Sequence, residues 1–283
     1  MRVLVSSAVL LVAMGAQGAQ PEQGTTLKGR ATLLALRDAR SADLAQLVPL
    51  AAASDGAVRA GVAAHLGSVP FASGAPVVGR LLQDGDPAVR AAAAMAAGRL
   101  LQALPQGEPR RRGLARALRD TLRGDDDPGV RAAAAWGVAA AGGEGAESEL
   151  LRALDRDRSA AVRAAVLREL WRLPGAGWVG AAAAAVDGSR TVEERFAATW
   201  SLVRSRPAEG SPAAAALRRA ASDREGGVRA VALSAGRRGA TADLWDLLVS
   251  GALDEDPQVR RAALDSLVAV LEREGRGRVL PEA

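Results

Sequence analysis

Seven arginines return along this 283-residue chain at a near-constant interval. They are Arg59, Arg90, Arg131, Arg163, Arg195, Arg229 and Arg260, separated by 31, 41, 32, 32, 34 and 31 residues. A Val usually precedes the Arg and an Ala-rich run follows it. A fixed period of this length marks supersecondary units that cannot bury an apolar face alone and must stack on their neighbours. The chain is therefore predicted to be an all-α solenoid of about seven helix pairs.

The unit is clearest at Asp84–Arg90, Asp125–Arg131 and Asp254–Arg260. In each, Asp86, Asp127 or Asp256 stands four residues before the Arg and is followed by Pro. Asp is a favoured N-cap because its carboxylate accepts unpaired first-turn N–H groups. Pro suits the first helical position, where its missing N–H costs nothing. Each motif thus starts the second helix of a pair, helix B. Asp55 and Ser159 hold the same cap position elsewhere. The unit at Arg195 departs from the pattern, but Thr191 and Glu194 form the spacing of a capping box.

Helix B carries an apolar stripe at i, i+4, i+8: Val58, Val62, Leu66; Val130, Ala134, Val138; Val162, Val166, Leu170. The preceding segments read as helix A, for example 41–52, 113–123, 146–154, 211–221 and 241–252, with Ser41, Ser211 and Thr241 as caps. Turns are expected at 67–76, 142–145, 174–177 and 206–210. The one long gap holds 104–112, a polar, proline-containing insertion that extends a loop. No segment shows the alternation of a strand.

The Asp-x-Asp-Pro-x-Val-Arg-x-Ala-Ala pattern resembles HEAT repeats, in particular the short HEAT-like repeats related to phycobilin lyases. The resemblance covers roughly residues 28–275 and implies a right-handed α-solenoid of about seven HEAT-like helix pairs, with helix B on the concave side. It is specific for fold and weak for function. Residues 27–40 read as a degenerate first unit with Arg30 in the Arg phase, and the last helix as a polar terminal cap. The expected organisation is a signal peptide over 1–19, a short linker over 20–27, the solenoid over 28–275 and a tail over 276–283.

Only 2% of residues are aromatic, which suits small units that touch only their neighbours. All basic residues but Lys28 are Arg, yet the net charge is only +5, which speaks for coding bias over nucleic-acid binding. Arg2, the apolar run Val3–Met14 and the small residues Gly15, Ala16, Gly18 and Ala19 match a secretory signal. The apolar run is too short to span a bilayer, which takes about 20 residues. The protein is expected to be exported, periplasmic or extracellular, in a bacterium. The other reading of this segment is an apolar first helix. With no Cys there is neither a lipidated cysteine nor a disulfide.

Catalytic equipment is sparse. Cys and Tyr are absent and His65 is the lone histidine, so no Ser-His-Asp set can be assembled with conviction. His65 reads as a packed or turn-facing side chain. The acidic clusters 84–86, 125–127 and 254–256 recur at one phase of the repeat and lack the Gly and Glu of an EF-hand loop, so they read as architecture. No catalytic residue, metal site or cofactor is expected. The repeated Arg sits where the helix dipole disfavours a cation and needs a carboxylate. The expected ladder joins Arg59, Arg90, Arg131, Arg163, Arg229 and Arg260 with Asp84, Asp125, Asp157, Asp223 and Asp254, the expected partner being the Asp six residues before the Arg where one is present, and the resemblance implies that such residues form a ladder between units.

Positions one, five and eight after the Arg lie opposite the apolar stripe and hold Met95, Trp136, Trp171, Phe196 and Trp200. Two readings stay open: an exposed interaction site with Arg168, Arg172 and Arg204 as a basic rim, or gap-filling between Ala-rich helices. The leading function is a non-enzymatic exported scaffold that binds a protein or peptide on its concave helix-B face. Its alternatives are a lyase-like or chaperone-like accessory that grips a modified protein, and a nucleic-acid-binding solenoid, which export disfavours.

Overall fold

A computed structural model of the chain describes residues 20–175, 177–187, 191–238 and 244–274. All regular structure among them is helical. A first helix, α1 (Gln20–Asp38), leads into seven pairs: α2 (Leu44–Leu50) with α3 (Gly56–Ser68), α4 (Ala75–Leu81) with α5 (Pro87–Ala103), α6 (Pro109–Gly124) with α7 (Pro128–Ala141), α8 (Ala146–Arg156) with α9 (Ala160–Glu169), α10 (Val179–Val186) with α11 (Val192–Arg204), α12 (Pro212–Ala220) with α13 (Gly226–Leu233), and α14 (Trp245–Gly251) with α15 (Pro257–Glu274). Short 3₁₀ turns precede α4 at Ala72–Gly74 and extend α9 and α13 at Leu170–Arg172 and Ser234–Arg238.

The caps do what their chemistry requires. The carboxylates of Asp55, Asp86 and Asp256 accept the N–H two residues on, and that of Asp127 accepts the Val130 N–H. Thr191 and Glu194 close a reciprocal capping box, and Ser211 caps α12. Ser159 starts α9 without a side-chain cap bond.

Helix B of each pair packs on helix B of the next, from α3 through α15, while the A helices form an outer layer. The i, i+4, i+8 stripe is buried throughout, with Val62, Leu66, Ala134, Val162 and Val166 fully enclosed. One apolar core runs from Leu33 to Leu267, as expected when each unit is stabilised only by its neighbours. The α5–α7 crossing is the tightest. A Cβ on Gly98 would stand 2.5 Å from the Gly137 Cα, and one on Gly137 would stand 2.6 Å from the Ala94 carbonyl oxygen. Glycine is required at both places by backbone approach.

Four expected boundaries are corrected. Residues 20–27 are not a linker but the first turns of α1. The insertion 104–112 is a loop only in its first half, because Glu108–Pro109 repeats the acid-then-proline start and begins α6, with the Glu108 carboxylate accepting the Arg110 N–H. The turn expected at 67–76 already contains the start of α4. Helix α2 is capped by Asp43, not Ser41, whose hydroxyl instead accepts the Asp43 N–H at 3.2 Å. The signal segment 1–19, Thr241 and the tail 276–283 lie outside the described residues.

Candidate interaction face

The repeated arginines bind carboxylates, but not the ones expected. Arg59 donates through Nε and Nη2 to both oxygens of Asp84, at 2.7 and 2.8 Å. Arg90 does the same to Asp125, Arg131 to Asp157, and Arg229 to Asp254. Each partner belongs to the next unit. The aspartate six residues before the Arg contributes its backbone carbonyl, which accepts from Nη1 in Arg90, Arg131, Arg163, Arg229 and Arg260. The correction has a geometric cause. An Arg side chain leaving the first turn of helix B lies against the stacked neighbour, so its fork meets the neighbour's carboxylate, and only the Nη1 edge faces back.

The ladder also starts and closes differently from expectation. Arg30 of α1 pairs with Asp55, at 2.9 Å. Arg163 pairs with Glu194, whose other oxygen accepts the Thr191 N–H, so one buried carboxylate serves both capping box and ladder. Arg195 was missing from the expected ladder because its unit breaks the aspartate pattern. It pairs bidentately with Asp223 and is the most enclosed rung, 1% exposed. Arg260 keeps its bonds to the carbonyls of Asp254 and Glu255.

Hydrogen bonds from Arg59 and Arg229 hold the Asp84 and Asp254 carboxyls below the usual carboxylate range. At Asp125, Asp157 and Asp223 burial is the largest influence and pushes upward. The Arg fork, the N–H two residues on and the nearby cationic charges outweigh it together, and these pKa values also end below the usual range. The acidic clusters are thereby occupied as ladder acceptors and N-caps. His65 is 2% exposed, and its Nε2 lies 2.7 Å from the Ser41 carbonyl oxygen.

The solvent-facing stripe of helix B runs one, five and nine residues after the Arg, not one, five and eight. The eighth position is buried in Gly67, Gly98, Ala139 and Val203, against the neighbouring B helix. Met95 and Trp200 on the fifth position are exposed, Trp136 on the same position and Phe196 on the first are half-buried, and Trp171 on the eighth is half-buried. The rings are neither free nor core: guanidinium groups cover them. Arg204 lies 3.9 Å from the Trp171 ring centre and 5.6 Å from that of Trp200. Arg172 lies 4.6 Å from Trp171, Arg168 5.9 Å from Phe196 and Arg99 5.6 Å from Trp136. These are cation–π distances.

Comparison with known proteins fits this geometry. Residues 44–139 match the family model for HEAT repeats. The chain is an α-solenoid of HEAT-like helix pairs. Among solved structures it is similar to YibA of Escherichia coli, at 14% identity over 95% of this chain and 96% of that one, with a TM-score of 0.57. It is also similar to the CpcE–CpcF complex of phycocyanin lyase from Nostoc sp. PCC7120, at 18% identity over 84% and 90% of the two chains, with a TM-score of 0.50. At these identities the likeness is one of fold. No curated protein matches the sequence.

Counted from the ladder arginine of each HEAT unit, the ninth position supplies what the sequence reading missed. It holds Arg99, Arg172, Arg204 and Arg238 in four units, a second arginine row on the solvent side. With Arg168 on the fifth position, the stripe from α5 to the end of α13 carries five arginines and no carboxylate. At its far end Trp200, Val203, Arg204, Arg206, Ser234, Arg237 and Arg238 line an open recess of about 600 Å³. Among the described residues no helix is long and apolar enough to cross a membrane.

Proposed function

We propose that this chain is a non-enzymatic, exported scaffold that binds a protein or peptide partner along the exposed face of its B helices. The observation that carries the reading is the covered aromatic row. Trp136, Phe196 and Trp200 stand on the solvent stripe of two units, each under an arginine, where Ala or Ser would satisfy the packing as it does in other units. Trp and Arg are the residue types that most often dominate binding energy. A partially exposed ring with a guanidinium over it presents a flat, amphipathic surface at low conformational cost. Against an enzyme stand the absence of Cys and Tyr from the sequence and the burial of His65 on a backbone carbonyl. Export rests on the signal-like composition of residues 1–19.

Two experiments test this. A photo-crosslinking amino acid placed at Met95, Trp136 or Trp200 is expected to capture a polypeptide in cells, whereas one at Arg116, on the outer A layer, is not. Equal capture from both faces counts against the assignment. N-terminal mass spectrometry of the native protein is expected to find a start near residue 19 or 20, and an intact Met1 in the soluble cytoplasmic fraction refutes export.

A further inference from the structure

The described arginines differ in what occupies their donors. Ladder arginines such as Arg90 and Arg131 have their forks filled by carboxylates and their remaining edge by carbonyls. Other buried-edge arginines are also occupied: Arg111 donates to the Leu101 and Leu104 carbonyls, and Arg119 to that of Glu144. The recess at the end of α11 is different. Four arginines converge on it, Arg204, Arg206, Arg237 and Arg238, and no carboxylate lines it. Arg237 reaches Asp265 only at 3.8 Å, with both groups about half exposed. Among the described residues Arg204, Arg206 and Arg238 make no ion pair, and the Arg204 Nε is buried without a hydrogen-bond partner. The Arg204 guanidinium is nevertheless fixed in place by the Trp171 and Trp200 rings. Among the described residues Arg206 is one of two non-glycine residues with positive φ, at 53°. It follows the C-terminus of α11, where glycine would sit without strain.

We propose that this recess is an anion site that takes neighbouring carboxylates of an acidic polypeptide segment, with Trp200 as the apolar wall beside them. The proposal rests on the reading of the helix-B face as the partner surface. Converging guanidinium forks repel one another until an anion enters, and their planar donors match two carboxylate oxygens. The ring stack holds Arg204 before binding, so less side-chain freedom is lost on binding. A polypeptide fits better than nucleic acid. The basic residues of the stripe alternate with Met95, Trp136, Phe196 and Trp200, which offer anchors for apolar side chains.

The test is fluorescence anisotropy on the full chain with fluorescein-labelled hexaglutamate, hexaglutamine and hexathymidylate at low and raised salt. Hexaglutamate is expected to bind and hexaglutamine not to. The double substitution Arg204→Gln, Arg238→Gln is expected to weaken hexaglutamate about tenfold or more. The double substitution Arg110→Gln, Arg116→Gln, which changes net charge equally on the A layer, should leave it unchanged. Equal losses in the two doubles would reduce the effect to net charge and overturn the proposal, as would tighter binding of hexathymidylate. Crosslinking at Trp136, repeated with Arg204→Gln, Arg238→Gln, separates the two readings. Undiminished crosslinking removes the acidic-segment proposal and leaves the face intact, whereas no crosslinking from Trp136 in the parent chain removes the face itself.

Discussion

Replacing Arg131 by Ala is the sharpest probe of what holds the stack together. The side chain donates four hydrogen bonds, two to Asp157 at 2.7 and 3.0 Å and two to the carbonyls of Asp125 and Asp126 at 2.7 and 3.1 Å. After truncation the Asp157 carboxylate, 7% exposed, keeps only the Ser159 N–H as a donor. Leaving a fully buried charge without its partner costs about 3–5 kcal/mol. Water reaches this rung from the Arg131 side, which is 17% exposed, so the lower end applies and the expected loss is about 3 kcal/mol. Converting Asp157 to Asn in the same chain removes the stranded charge and is expected to recover about 1–2 kcal/mol of that loss, a coupling that a double-mutant cycle measures directly. Urea unfolding followed by circular dichroism supplies the free energies, with Arg110→Ala as an exposed control expected within about 0.5 kcal/mol of the parent. Matching losses for Arg131→Ala and Arg110→Ala, or strict additivity in the cycle, would refute the ladder as a stabilising device.

Acid should attack the same device. Asp84, Asp125, Asp157, Asp223 and Asp254 all lie below their ordinary value of 3.8 when folded. Their contribution is therefore complete above the unfolded value and disappears as the pH falls through the lower folded values. Stability is expected to be flat from about pH 8 to 5 and to drop below about pH 4, and a loss centred near pH 6 would show that other groups dominate. In single-Trp variants, acrylamide quenching is expected to fall in the order Trp200, then Trp136 and Trp171, then Trp178, which is 2% exposed; a quenchable Trp178 contradicts the core. The buried Trp178 Nε1 has no hydrogen-bond partner, so Trp178→Phe is expected to cost less than about 1.5 kcal/mol and Trp178→Ala about 3–5 kcal/mol in thermal unfolding. Gly98→Val forces α5 from α7 and is expected to cost about 2–3 kcal/mol; parental stability would mean the crossing yields easily.

The repeat period and the caps made most of the fold readable, because Asp, Pro, Thr and Glu act on the first turn of their own helix. Such chemistry is local, so a single sequence displays it. The ladder partner was not readable in the same way. Arg90, Arg131 and Arg229 each have an Asp six residues before them and another in the same phase of the next unit, so there the sequence cannot separate a bond within the unit from one to the next. Stacking geometry decides between them. The solvent stripe failed for a related reason. Opposing a single apolar stripe leaves position eight facing outward at about 100° per residue, but each B helix packs on two neighbouring B helices as well as on its A partner. Gly98 and Val203 are buried for that reason, and the outward stripe shifts to position nine, where Arg99, Arg172, Arg204 and Arg238 stand.

The two arginine rows show how one residue type divides its roles by phase. A ladder arginine enters an interface whose carboxylates and carbonyls use its donors, so it fixes one unit on the next. Nine residues later the same repeat places an arginine at the solvent edge, where a ring adjoins Arg99, Arg172 and Arg204, and Arg172 also donates to the Glu169 carboxylate. There the guanidinium is oriented by Trp136, Trp171 or Trp200, and among the described residues Arg99, Arg204 and Arg238 keep their charge unpaired. A solenoid keeps its stack while its face changes, because the ladder does not depend on what occupies the outward positions. In this chain the aromatic substitutions cluster in α7 through α11, between Ala-lined units on one side and Ser234 on the other. The local loss of Ala, together with the unpaired arginines beside it, separates the proposed partner surface from repeated architecture.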